Sequence, residues 1–136
     1  KKHKLLRDFN ITICLHPKEK ELEDILFKSK MFYKSMFGEK ISFHFSDSRK
    51  SFKDFDLGFG TFSSILLERL HCGYKTLIFN NSIDEFPIND PRLNQIIISD
   101  YSLFVTKLSE SLNVATNIFF EGIKDYTFIL NKFKNV

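Results

Sequence analysis

The sequence predicts an α/β domain built on a parallel sheet, and three observations carry that reading. Short apolar, β-branched runs alternate with longer segments whose apolar residues recur at helical spacing. The strand-like runs are apolar almost without interruption, as strands covered on both faces are. Glycine, proline and Asn/Asp clusters punctuate the boundaries between the two kinds of segment.

Taken in order, Lys1 to Phe9 reads as the tail of a helix. Asn10 to His16 (NITICLH) is a first strand, stopped by Pro17. Glu19 to Phe37 follows as a helix, with Leu22, Ile25, Leu26, Ser29, Phe32, Tyr33 and Met36 on one face. Gly38 suits the position just past its end. Ile41 to Phe45 (ISFHF) is a second strand, Ser46 to Phe55 a polar connector with a helical turn, and Asp56 to Gly60 (DLGFG) a short third strand. Thr61 or Phe62 opens a helix that runs to Cys72, and Gly73 closes it. Lys75 to Asn80 is a fourth strand, Asn81 to Leu93 a loop rich in Asn, Asp and Pro, and Gln95 to Ser99 a fifth strand. Asp100 caps a helix from Tyr101 to about Leu112. A last amphipathic helix covers Thr116 to Phe133; its Phe119, Phe120, Tyr126, Phe128 and Phe133 suit packing across the domain's own sheet, or an interface with another subunit. This order predicts a Rossmann-like three-layer domain over residues 1–136, with a five-stranded parallel sheet of order 2-1-3-4-5.

Composition narrows the partners. The net charge of +3 gives no argument for a nucleic acid. The charge is uneven: residues 1–53 hold 13 Lys and Arg against 7 Asp and Glu, whereas 54–136 hold 7 against 10. A basic first half suits a phosphorylated ligand or an acidic membrane surface, as well as an ordinary solvated face. Cys14 and Cys72 form no CxxC, cluster or disulfide framework, so a reduced, cytoplasmic setting is expected. No apolar run approaches the roughly 20 residues that span a bilayer. The chain opens on Lys1-Lys2 rather than on methionine, as an excised domain does.

The segment from Gly58 to Gly73 carries the chemistry. A strand ends in glycine, and hydroxylated residues open a helix whose first N–H groups lack intrahelical acceptors. Gly60 lets an anion reach the backbone, while Thr61, Ser63 and Ser64 add hydroxyl donors: a site suited to a phosphate or diphosphate. The ordinary alternative is a helix cap. The segment is neither a Walker A loop, a GxGxxG turn nor a nucleophile elbow. Glu68, four residues after Ser64 on the same helix face, suits ribose hydroxyls or a surface ion pair. His16 ends the first strand at the edge where such sheets bind ligands, and there it can hydrogen-bond a phosphate. His3, His44 and His71 have no metal-ligand spacing, so no metal or cofactor is expected.

His16-Pro17, followed by FDLGFGTFSSILLERLHCGYKTLIFN, resembles the C-terminal, donor-binding domain of GT-B glycosyltransferases. Asp56, Gly58, Ser63, Ser64, Glu68, Gly73 and the strand from Tyr74 to Phe79 match that pattern in order, within a resemblance over about residues 10 to 100. The His-Pro pair with a later Ser-Ser pair is similar to bacterial sialyltransferases and polysialyltransferases, capsule-type transferases and CDP-glycerol glycerophosphotransferases. The resemblance implies that His16, Ser63 and Ser64 hold the donor phosphates and that Glu68 contacts ribose; Gly60 and Thr61 join the phosphate site through the reading of the turn itself, and His16 is expected to be catalytic by stabilising the departing phosphate. The resemblance implies a CMP- or UDP-linked sugar, or a polyol phosphate, as donor for surface polysaccharide or lipopolysaccharide synthesis. It also implies a separate N-terminal acceptor domain; the cytoplasmic setting is the one expected from the cysteines, and the basic first half permits a place peripheral to the inner face of the membrane. The isolated domain is expected to bind donor without turning it over. The alternative is a non-catalytic flavodoxin-like or receiver-like module of the same strand order. A receiver needs acid where the first strand has His-Pro, and a flavin site needs a hydroxyl-rich loop where the chain has His16-Pro17-Lys18. A third alternative is a structural module that pairs with another subunit.

Overall fold

The computed structural model describes residues 9–61, 63–80, 91–121 and 123. Among these residues the chain is α/β, and its strands pair in parallel in two small sheets, one of two strands and one of three. The sheets fall in separate units, Lys1–Ser48 and Arg49–Val136. The helix tail expected before Phe9, the loop over 81–90 and the last helix beyond Ile123 lie outside the described residues.

In the first unit β1 (Thr12–Cys14) and β2 (Ser42–His44) set Thr12 opposite Ser42 and Cys14 opposite His44. Parallel neighbours need a crossover. Two helices supply it, α1 (Pro17–Lys20) and α2 (Glu23–Phe37), where the sequence predicted one. His16 is the reason: its reciprocal capping bonds with the next turn start a helix at Pro17. The chain then extends at Leu22 (φ −124°, ψ 137°) before α2 begins. Gly38 ends α2 as expected, in the left-handed region at φ 101°, its N–H donating to the Lys34 carbonyl at 2.8 Å. Among the described residues of this unit, Leu15 alone is a buried apolar side chain. Leu26, Tyr33 and Phe37 of α2 are half-buried. Leu22, Ile25, Phe32 and Met36, on the predicted apolar face, are exposed. Two strands of three residues each make too narrow a floor to cover the whole stripe.

The second unit orders β3 (Gly58–Thr61), β4 (Thr76–Phe79) and β5 (Ile97–Ile98) side by side. Gly58 pairs with Thr76, and Ile78 with Ile97. α3 (Ser64–His71) crosses from β3 to β4, while α4 (Phe104–Asn113) and α5 (Thr116–Glu121) follow β5. Leu67 and Leu70 of α3, with Leu77 and Ile78 of β4, are sealed from solvent. Each contributes about 1.5–3 kcal/mol relative to its exposed state. The Phe104 ring meets Phe59 and Phe79 edge-on, with centroids at 5.4 and 5.9 Å. Asp100 caps the 3-10 turn Tyr101–Leu103 that leads into α4: its Oδ1 accepts from the Ser102 N–H at 2.9 Å. That backbone bond, then the Ser102 side chain, holds the Asp100 carboxyl below its usual range.

Two buried cations tie this unit together. Arg69 of α3 donates to the carbonyls of Phe52 (2.7 Å), Phe55 (2.8 Å) and Lys75 (3.2 Å), with its guanidinium against the Phe52 and Tyr74 rings. It thereby fastens the 3-10 segment Ser48–Asp54, where a single helical turn was expected, to the sheet. Lys75 sends Nζ to the carbonyls of Ser111 (2.6 Å), Leu112 (3.2 Å) and Val114 (3.0 Å), closing the C-terminal end of α4. A lysine there satisfies orphan carbonyls and the negative end of the helix dipole together.

Candidate functional site

The anion site predicted from Gly58 to Ser64 lies at the β3–α3 junction. β3 runs one residue past Gly60, to Thr61, and α3 starts at Ser64, two to three residues later than expected. Phe62 lies outside the described residues. Ser63 is the N-cap in extended backbone (φ −157°, ψ 143°), yet its hydroxyl makes no capping hydrogen bond. Thr61 and Ser64 are exposed and Ser63 is half-buried. The first N–H groups of a helix have no intrahelical acceptor, and here the capping side chain supplies none.

The two glycines of this segment serve different ends. A Cβ on Gly58 would lie 2.6 Å from Arg69 Cδ and Nε, so Gly58 makes room for the buried arginine. A Cβ on Gly60 would meet only Leu66 Cδ1, at 3.4 Å, an ordinary contact. Packing therefore explains the first glycine and leaves the second to other demands. Glu68, expected at ribose, is gripped by Arg49: Nε to Oε2 at 2.5 Å and Nη2 to Oε1 at 3.1 Å. A ribose contact has to share this carboxylate with Arg49.

His16 stands two residues beyond β1 in the first unit, exposed, and its surroundings are built from α1 and α2. Its backbone N–H donates to Glu19 Oε2 at 2.7 Å, and its Nδ1 accepts from the Lys18 N–H at 3.2 Å. Glu19 Oε1 in turn accepts from the Tyr33 hydroxyl of α2 at 3.0 Å. The Tyr33 phenol is pushed up to about 12, first by burial and then by the hydrogen bond and negative charge of Glu19. Nearby in the same unit, His44 Nε2 bonds the Ser46 hydroxyl at 2.8 Å and Lys20 Nζ donates to the Phe45 carbonyl at 2.8 Å.

The predicted residues thus group by unit. Gly60, Thr61, Ser63, Ser64 and Glu68 belong to one strand–helix junction of the second, and His16 belongs to the first. No family model, curated protein or solved structure matches the chain. Among the described residues, no three His, Cys, Asp or Glu side chains gather closely enough to hold a metal ion, and no helix is long and apolar enough to cross a membrane.

Sequence reasoning passed over Glu19, Tyr33 and Arg49. The signal for Glu19 was present: residues 16–19 read H-P-K-E, a capping-box spacing with histidine in the place usually held by Ser or Thr. Nothing in the order of residues marks Tyr33 or Arg49, because their partners lie 14 and 19 positions away.

Proposed function

We propose that the chain is the donor-binding domain of a glycosyltransferase that takes a CMP- or UDP-linked sugar for surface polysaccharide or lipopolysaccharide synthesis. The observation that carries this reading is the N-terminus of α3: its N-cap serine does not spend its hydroxyl on capping, and Thr61 and Ser64 beside it are exposed. That is a donor-rich turn of the kind that binds a diphosphate or a phosphodiester. In the reaction, an acceptor hydroxyl attacks the sugar's activated carbon. The carbon–oxygen bond to the nucleotide phosphate breaks, and the nucleotide departs with the electron pair. This domain's share is electrostatic: the N–H groups of the turn, the hydroxyls of Thr61, Ser63 and Ser64, and His16 take up the charge that develops on the departing phosphate. Glu68 contacts the ribose while keeping Arg49.

The reading requires the two sheets to continue as one, in the order 2-1-3-4-5, within a three-layer Rossmann-like domain. The pairings β1–β2 and β3–β4–β5 are both segments of that order. It further expects a separate acceptor domain that supplies the base, and a cytoplasmic setting at the inner face of the membrane.

Titration with CMP, CDP and UDP, followed through backbone amide shifts, tests it. Gly60, Thr61, Ser63, Ser64 and His16 are expected to move. Replacing Ser63 and Ser64 together by Ala should weaken binding about tenfold or more, since a hydrogen bond to a charged group contributes roughly 1.5–3 kcal/mol. Unchanged affinity in the double variant removes the site assignment. A response to FMN alone favours the flavodoxin-like alternative.

A further inference from the structure

Histidine is an unusual N-cap, a position that favours Ser, Thr, Asp and Asn. At residue 16 it performs the capping with its ring. Pro17 restricts the preceding residue to extended backbone, and His16 sits there at φ −64°, ψ 145°. Nδ1 then lies where the Lys18 N–H can donate to it, at 3.2 Å. An imidazole nitrogen that accepts carries no proton, so in the neutral ring the proton sits on Nε2. The residue's own N–H is held by Glu19 Oε2 at 2.7 Å. Glu19 is held in turn by the Tyr33 hydroxyl, at 3.0 Å on its other oxygen. α1 has four residues, too few to hold its shape unaided. Tyr33, on the fifteen-residue α2, supplies the outside anchor.

We propose that Glu19 and Tyr33 are positioning residues for His16, fixing its neutral imidazole as an Nε2–H hydrogen-bond donor at the end of β1. The use made of that donor, toward an anionic phosphate oxygen, rests on the donor-binding reading above. The positioning itself rests only on the three hydrogen bonds. The arrangement suits a contact to an anion, because a ring locked as donor presents no lone pair to the phosphate. A ring free to exchange tautomers would spend part of its time presenting one.

Imidazole nitrogen shifts, read by nitrogen-15 NMR at a pH where the ring is neutral, test the proposal. In the unsubstituted chain His16 should show the Nε2–H tautomer. In Glu19→Ala and in Tyr33→Phe it should move toward a mixture, while the His44 signals, in the same unit, stay in place. Glu19→Gln keeps an acceptor oxygen and should retain more of the Nε2–H form than Glu19→Ala. Affinity for CMP should fall about three- to tenfold in Tyr33→Phe, the size expected of one misaligned hydrogen bond. An Nδ1–H tautomer in the unsubstituted chain, or one unmoved in both Glu19→Ala and Tyr33→Phe, overturns the positioning role. Absence of CMP and UDP binding to the unsubstituted chain counts against the donor-binding reading instead, and the tautomer result still decides the positioning.

Discussion

Gly58 and Gly60 stand one residue apart and answer to different constraints. A methyl group at position 58 would press on the aliphatic end of Arg69, whose guanidinium is committed to three backbone carbonyls. Gly58→Ala should therefore destabilise the fold by about 3 kcal/mol, the upper part of the range for overpacking, as measured by urea unfolding. Gly60→Ala meets only an ordinary contact and should leave the unfolding midpoint nearly unchanged. On the donor-binding proposal it should nonetheless weaken nucleotide binding, because the added methyl would stand where the phosphate is proposed to approach. An equal loss of stability in both variants would remove this distinction. Tyr33 gives a pH signature. Its folded phenol titrates at about 12, above its ordinary value of 10, so the folded state holds the proton that the unfolded state releases first. The stabilisation is complete below pH 10 and is lost as pH rises from about 10 to 12. Urea midpoints across that window should fall more steeply for the unsubstituted chain than for Tyr33→Phe.

Among elements, α3 is left uncapped by the Ser63 hydroxyl at its start and is closed by backbone bonds at its end. Its C-terminus closes in a Schellman motif: Tyr74 N–H donates to the Arg69 carbonyl at 3.2 Å and Gly73 N–H to that of Leu70 at 3.0 Å, with Gly73 at φ 86°. Gly73→Ala has open space for its methyl but an unfavourable backbone, and should lower stability by about 1–2 kcal/mol. Two residues on, Lys75→Ala should release the three carbonyls that end α4. It should destabilise by about 2–3 kcal/mol, with faster amide exchange in the last turn of that helix as its local mark. These two positions differ in how far the sequence discloses them. Gly38 and Gly73 read directly as helix stops because a positive φ is a local demand with a local answer. No local signal marks Arg69 and Lys75 for burial, because it depends on carbonyls that the fold brings from 6 to 39 residues away. The 3-10 segment Ser48–Asp54 was only half visible for the same reason, since its anchor is Arg69. At the candidate site, hydroxyls opening a helix could be read from Thr61, Ser63 and Ser64, but whether a capping serine spends its hydroxyl is settled only by the side-chain geometry in the folded chain.

At the scale of the molecule, the two units are built to different depths. Every buried apolar side chain among the described residues except Leu15 belongs to the second. Amide exchange should be slowest at Leu67, Leu77 and Ile78 and faster throughout β1 and β2, because local opening follows the amount of apolar surface each segment buries. Equal protection in β1 and β4 would contradict that ranking. The alternation of strand and helix made the parallel pairing and the order within each sheet predictable. The unequal cores were not, because the apolar stripe of α2 has the same spacing whether or not a wide enough sheet lies beneath it. The all-parallel pairing carries a kinetic consequence. Strand partners are 18 residues apart for Gly58 and Thr76, 19 for Ile78 and Ile97, and 30 for Thr12 and Ser42. Among the described residues no hairpin can seed either sheet, so each ladder waits on closure of the loop between its strands. Loop entropy grows only logarithmically, and the longest of these closures costs about 0.5 kcal/mol more than the shortest. Refolding speed should therefore be set less by chain length than by how readily α2 and α3 form before their strands meet.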